Sequence, residues 1–273
     1  MLIKPSTELP TPRHIIQDRV IEERYEASPV LPIVTIDWAN ATFDTLLVAP
    51  SLIDIILTAI PEKARTVGTI HVTYPDTTAA AETEEYDEDE QLYRAVDLHS
   101  FHKPQSFDIH AFTCDGAEVV LVLVPYFQDT IVYNLVAEKV AAVLGSKSKV
   151  IALAPSWLNN NDSLSKLFTR DEAVFSSPLL PQVSHLKPPL FVTGPSAAVV
   201  AACPDTDLLC LALNAEGNSG FEKISPDVMI DCCMILGSLL RLDEAGAEKY
   251  MRTVSAGVRK SFSGTSSTSG MYL

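Results

Sequence analysis

Val119-Val120-Leu121-Val122-Leu123-Val124 is followed by an amphipathic stretch from Asp129 to Leu144, and then by Val150-Ile151-Ala152-Leu153-Ala154. The two apolar runs are rich in valine and short, which predicts strands. Between them Asp129 is a helix N-cap candidate and Gly145 a stop signal. Ile131, Leu135 and Ala142, joined by Val132, Val136, Val140 and Val143, predict one broad apolar face on that helix. Strand, helix, strand is a βαβ unit, and such a crossover implies parallel pairing.

The same alternation is predicted on either side. Downstream, Leu190 to Thr193 is a short strand candidate, Gly194-Pro195 a turn, and Ser196 to Ala202 a helix of small residues. Leu208, Leu209, Cys210, Leu211 and Leu213 form a nearly unbroken apolar run over Asp207 to Leu213, which suits a central strand covered on both faces. Ser225-Pro226 then has the N-cap and N1 arrangement for a helix over 227–240, and a last helix is predicted over 244–258. Upstream, strands are predicted at Val30 to Ile36, Thr45 to Ala49, Thr66 to Tyr74 and Phe107 to Cys114. Ser51 is read as the cap of a helix over 52–60. Asp115-Gly116 signals a hairpin into the run at Val119. The expected fold is α/β with three layers: a mostly parallel or mixed sheet with helices on both faces.

Three segments fall outside this pattern. Residues 1–29 are charged and broken by proline, and read as an arm that packs on the body. The domain proper is expected to span 30–260. Within it, residues 76–90 carry eight acids and no base, a composition that repels itself and predicts a mobile acidic insert. Residues 261–273 read as a flexible tail, rich in Ser, Thr and Gly up to Gly270.

Composition narrows the function. Asp and Glu number 35 against 20 Lys and Arg, a formal net charge of −15. That argues against nucleic acid and anionic membrane as main partners. No apolar run approaches the length of a spanning helix, and the first residues lack the apolar segment of a secretory signal. Cys114, Cys203, Cys210, Cys232 and Cys233 are odd in number and mostly embedded in apolar sequence. They predict reduced, buried thiols and a cytoplasmic or nuclear location.

No catalytic constellation stands out. Ser196 lies where a nucleophile elbow would be, yet the second glycine of that motif is missing, and an N-cap role is the expected one. The histidines show no metal-ligand spacing, and no cofactor motif is present. The loop Asn214 to Lys223 follows the end of the expected central strand, where α/β folds place ligands. Its glycines and Lys223 are compatible with an anion, and so with an enzyme of nucleoside-phosphorylase type. A demanding turn or a protein-contact loop is the expected reading, because the acid/base partners of a plausible reaction are missing.

Met271-Tyr272-Leu273 has the form of a docking peptide: an apolar residue, a tyrosine and a carboxylate, on a ten-residue tether reaching roughly 16–19 Å. The carboxylate suits a lysine at the base of a pocket, and the phenol adds amphipathic area and a hydrogen bond.

These features converge on a resemblance. Leu9-Pro10-Thr11-Pro12-Arg13-His14 is similar to the N-terminal arm of the fungal proteasome assembly chaperone 1 family. Phe191-Val192-Thr193-Gly194, followed by Glu216-Gly217-Asn218-Ser219-Gly220-Phe221-Glu222-Lys223-Ile224-Ser225, resembles that family's internal signature. Met271-Tyr272-Leu273 matches its terminal hydrophobic–tyrosine–X (HbYX) motif. The resemblance implies a chaperone that is not an enzyme and needs no cofactor or metal, on a fold similar to nucleoside phosphorylases. It implies a heterodimer with proteasome assembly chaperone 2, seated on the outer face of the proteasome α-ring during core-particle assembly. Met271, Tyr272 and the Leu273 carboxylate would then enter a pocket between α subunits and keep regulators from binding early. Glu216, Gly217, Gly220, Phe221, Glu222 and Lys223 would form the signature loop.

Overall fold

The computed structural model describes residues 31–38, 42–60, 64–75, 104–145, 148–158, 162–217 and 220–266. The chain divides into two compact units, one of residues 1–33 and 73–103, the other of 34–72 and 104–273. The arm and the acidic insert lie outside the described residues, and the account below concerns the second unit.

Ten strands build one sheet. They are β1 (Ile33–Trp38), β2 (Thr45–Pro50), β3 (Arg65–Thr73), β4 (Gln105–Cys114), β5 (Ala117–Val124), β6 (Lys149–Ser156), β7 (Leu164–Phe168), β8 (Ser184–His185), β9 (Leu208–Glu216) and β10 (Lys223–Ile224). The order is β1-β3-β4-β5-β2-β6-β9-β7-β8, with β10 also on β9. The inner four, β5-β2-β6-β9, are parallel. Antiparallel pairs flank them: β3 with β4 and β4 with β5 on one side, β7 with β9 on the other. The sheet is therefore mixed. β5 and β6 are parallel as the βαβ pattern predicts, and β2 lies between them.

Among the described residues five α-helices accompany the sheet: α1 (Asp54–Thr58), α2 (Ile131–Ala142), α3 (Gly194–Ala202), α4 (Pro226–Leu239) and α5 (Glu244–Ser266). Strand alternation divides β9 between two layers. Leu209, Leu211 and Leu213 join a core with Val228, Cys232 and Leu236 of α4 and Tyr250, Val254 and Val258 of α5. Leu208, Cys210 and Ala212 face the opposite side, where α3 packs on β2, β6 and β9 and α2 packs on α3. All six β9 residues from Leu208 to Leu213 are buried. At about 1.5–3 kcal/mol for each large side chain fully buried, this strand is a main source of fold stability. All five cysteines are buried free thiols, and burial pushes the Cys210 thiol up to about 12.

Several local expectations hold. Asp115 and Gly116 both have positive φ, 48° and 74°, as the hairpin between β4 and β5 requires. Ser225 Oγ accepts the Val228 N–H at 3.3 Å and caps α4. Asp129 Oδ1 accepts the Ile131 N–H, although Thr130 holds the cap position of α2.

Others are corrected. Ser51 caps nothing: it opens a short 3-10 helix, Ser51–Ile53, whose cap position is Pro50. On α2 the buried stripe is Val132, Tyr133, Val136, Ala137 and Val140, while Ile131 and Ala142 are exposed. Residues 190–193 form no strand. Pro188 and Pro189 precede them without N–H donors, and Phe191 is exposed instead of paired. Helix α3 starts at Gly194, two residues before the expected Ser196. Helix α5 continues past the expected end at Val258 to Ser266, so residues 261–266 of the expected tail are helical.

The stretch 156–189 gave no expectation, and it supplies β7 and β8. Lys166 on β7 is 3% exposed. Its ammonium donates to Glu172 Oε1 at 2.6 Å and to the Leu180 carbonyl at 2.9 Å, which compensates the cost of burying the charge.

Candidate functional site

Parallel strands all deliver their following loops to one end of a sheet, and α/β folds place ligands there. Here Pro50 at the end of β2, Val124 and Pro125 at the exit of β5, and Pro155 of β6, just before its last residue Ser156, border a cleft of about 150 Å³. Tyr126 and Tyr133 form one wall, and Thr193, Gly194, Pro195 and Ser196 at the start of α3 form another. Gly220 and Glu222, from the loop after β9, complete it.

That loop is the one singled out in the sequence, and its geometry explains its composition. Gly217 has φ of +112° and Gly220 of +87°, both in the left-handed region that side chains disfavour. A Cβ on Gly220 would lie 2.1 Å from Tyr126 Cδ2, so only glycine lets the loop approach that ring. The next residue, Phe221, packs on Tyr126 with ring centroids 5.1 Å apart, and is itself 67% exposed. Glu222 Oε2 accepts the Gly220 N–H at 2.8 Å and closes the turn. Lys223 and Ile224 then pair back onto Glu216 and Ala215 as β10, which fixes the two ends of the loop.

The predicted loop residues divide between two surfaces. Gly220 and Glu222 reach the cleft. Glu216 and Lys223 line a separate depression with Asn214, Ala215, Ile224 and Ser225. The cleft therefore has Glu222 as its one charged lining residue among the described residues. Placing an anion beside it would set like charges together. Burial raises the Tyr133 phenol above its ordinary value, a hydrogen bond with Phe127 opposes the rise, and the nearby Tyr126 and Glu222 add to it. The phenol stays neutral at physiological pH.

Ser196 does not cap α3, whose cap position is Thr193. It sits inside α3, fully buried, and its hydroxyl donates to the Leu153 carbonyl of β6. The sequence reading missed Tyr126 and Tyr133. They come from the β5 exit and α2, nearly a hundred residues before the loop, and the only local signal was Pro125 closing the strand. Met271, Tyr272 and Leu273 lie outside the described residues.

The neighbourhood of the cleft is apolar. Leu52, Tyr126, Trp157, Phe191 and Phe221 are between 43% and 72% exposed, and each follows a strand exit or precedes α3 at this end of the sheet. Among the described residues no group of His, Cys, Asp and Glu is placed to hold a metal ion.

Comparison with known proteins adds the following. The family described as POC1 chaperone matches residues 1–273 of the chain. No curated protein matches it. Among solved structures, PbaA of Pyrococcus furiosus, described as an archaeal homolog of proteasome-assembly chaperone, is similar in two crystal forms. The monoclinic form has a TM-score of 0.50 at 13% identity, covering 86% of this chain and 94% of that one. The other has a TM-score of 0.47 at 14% identity, covering 84% and 96%. A uridine phosphorylase of the oomycete Phytophthora capsici matches at a TM-score of 0.29 and 8% identity, over 80% of this chain and 93% of that one, too distant to speak to activity.

Proposed function

The chain belongs to the POC1 chaperone family, and from that premise we propose that it is subunit 1 of a proteasome assembly chaperone. In this reading it pairs with proteasome assembly chaperone 2, and the pair binds the outer face of the α-ring while the core particle is assembled. Met271 and Tyr272, with a carboxylate at Leu273, enter a pocket between neighbouring α subunits. Occupancy of that pocket keeps regulators from binding before the core is complete. The protein acts by binding alone, without catalysis, in the cytoplasm or nucleus.

The observation that carries this reading is the coincidence of a family match over residues 1–273 with the Met271-Tyr272-Leu273 triplet. The electrostatics of the cleft support the non-catalytic part. Its one charged lining residue is Glu222, and Lys223, the cation an anion site would use, lines a different surface.

Deleting Met271 to Leu273, or adding one residue after Leu273, removes the carboxylate from its place. Such variants should lose capture of core-particle assembly intermediates by about tenfold or more, the scale of a lost charge-assisted anchor. Melting temperature and pairing with the second chaperone should not change. Unchanged capture by a chain lacking the triplet would reject the tail as the anchor.

A further inference from the structure

The Glu222 cleft offers a negative charge and no counterion. One carboxylate oxygen accepts the Gly220 N–H, and among the described residues the side chain has no ion-pair partner. Tyr126 and Tyr133 present aromatic walls beside it. A carboxylate among aromatic rings is the chemistry that recognises an ammonium or guanidinium group. Size selects the source of that group. Pockets for drug-sized molecules run to roughly 300–1,000 Å³, whereas this cleft holds about 150 Å³, space for one side chain.

The rim says what carries the side chain. Leu52 lines the cleft and Phe221 packs on the Tyr126 wall, both exposed, and Phe191 before α3 and Trp157 after β6 are exposed at the same end of the sheet. Clustered exposed aromatic residues around a small pocket are the composition of a protein interface core. A second copy of this chain is a poor occupant, since each copy carries a formal charge of −15.

We propose that this end of the sheet is the docking surface for the second chaperone subunit, and that the Glu222 cleft is the socket for a lysine or arginine of that subunit. This rests on the assembly-chaperone reading, in which the tail addresses the α-ring and leaves the body free for the partner. Tyr126 and Tyr133 flank the cation, while Leu52 and Phe221 exclude water around it.

The test co-expresses the full chain with the proteasome assembly chaperone 2 homologue of the same source. Binding is measured on immobilised partner, and hydrogen exchange maps the contact. Protection is expected at residues 50–52, 124–126, 193–196 and 220–222. Glu222→Lys should weaken the pair about 100-fold, by reversing a buried interface charge. Phe221→Ala should weaken it about tenfold, the size of a hot-spot aromatic. Phe221→Ala should keep the wild-type melting temperature, because its ring is exposed, whereas Glu222→Lys also removes the acceptor of the Gly220 N–H and should lower it slightly. A reciprocal Lys→Glu or Arg→Glu change in the partner's protected segment should restore binding to Glu222→Lys. Wild-type affinity in both variants, with protection elsewhere, overturns the socket and leaves the assembly reading standing. Failure of the wild-type chain to pair at all overturns both. Self-association of the chain through the same protected segments also overturns the proposal, with a second copy as the occupant.

Discussion

Within β9 and the loop that follows it, the chain passes from one kind of constraint to another. From Leu208 to Leu213 the side chains are 0–1% exposed and nearly all apolar. From Glu216 to Lys223 the sequence is glycine, charged and small polar residues and one exposed aromatic ring, Phe221. The interior is held by side-chain volume, since packed cores tolerate exchange of apolar groups but not empty space. The exit is held by backbone geometry, through two glycines in the left-handed region and a ring that leaves no room for a Cβ. Stability is therefore concentrated in the first region and the binding proposed above in the second, and substitutions should separate the two.

The largest effect belongs to the interior. Leu211 packs between β6 and β7 on the face covered by α4 and α5, with no solvent contact. Leu211→Ala leaves a cavity there and should cost about 3 kcal/mol of unfolding free energy in a urea titration. Partner affinity should be unchanged wherever the variant is folded. A loss below the range of ordinary surface substitutions would mean that β9 is not the core strand described.

A smaller effect is expected at the exit. Gly220→Ala places a methyl against the Tyr126 ring at a φ that L-residues avoid, and should cost about 2 kcal/mol. Tyr126 is half exposed and can swing away, so strain is relieved at the expense of its contact with Phe221. Near-ultraviolet circular dichroism should report the lost aromatic pair, and affinity for the second chaperone should fall together with it. Retained dichroism and affinity would show that the loop is less constrained than its geometry implies.

The same division explains what could be read from the sequence. Leu208 to Leu213 was legible because six consecutive apolar positions admit few placements other than a strand buried on both faces. That β5 and β6 run in the same direction followed from a crossover helix that leaves little choice, though β2 lies between them instead of a direct pair, and the Asp115-Gly116 hairpin followed from residues that tolerate positive φ. β7 was not legible. A lysine in its middle reads as surface, and its burial depends on Glu172 and the Leu180 carbonyl, which only the fold brings to it. β8 and β10 are two residues each, too short for a periodic signal. At the candidate site the glycines and Phe221 could be picked out, because unusual backbone demands leave a mark in composition. Tyr126 and Tyr133 could not, because an aromatic residue at a strand exit looks the same whether it faces solvent, core or a loop far along the chain. Met271, Tyr272 and Leu273 lie outside the described residues, so their reading as a docking peptide rests on residue types, a carboxylate and the tether, and α5 before them runs eight residues further than its apolar spacing suggested.

Ser196 tests the boundary between the two regions, since it borders the cleft and is also fully buried. Its hydroxyl donates to the Leu153 carbonyl, which ties the first turn of α3 to β6. As a structural tie it should be worth about 1 kcal/mol, the net value of one buried hydrogen bond. Ser196→Ala should therefore lower stability by that amount and leave partner affinity where it was. A nucleophile would behave in the opposite way. Its hydroxyl would be available to a ligand, and its removal would leave stability nearly unchanged while abolishing any thermal shift produced by inorganic phosphate or uridine. If the wild-type chain shows such a shift and Ser196→Ala loses it, the cleft takes a small molecule. The contrast drawn along β9 would then be one between a core and an active site, with the partner bound elsewhere.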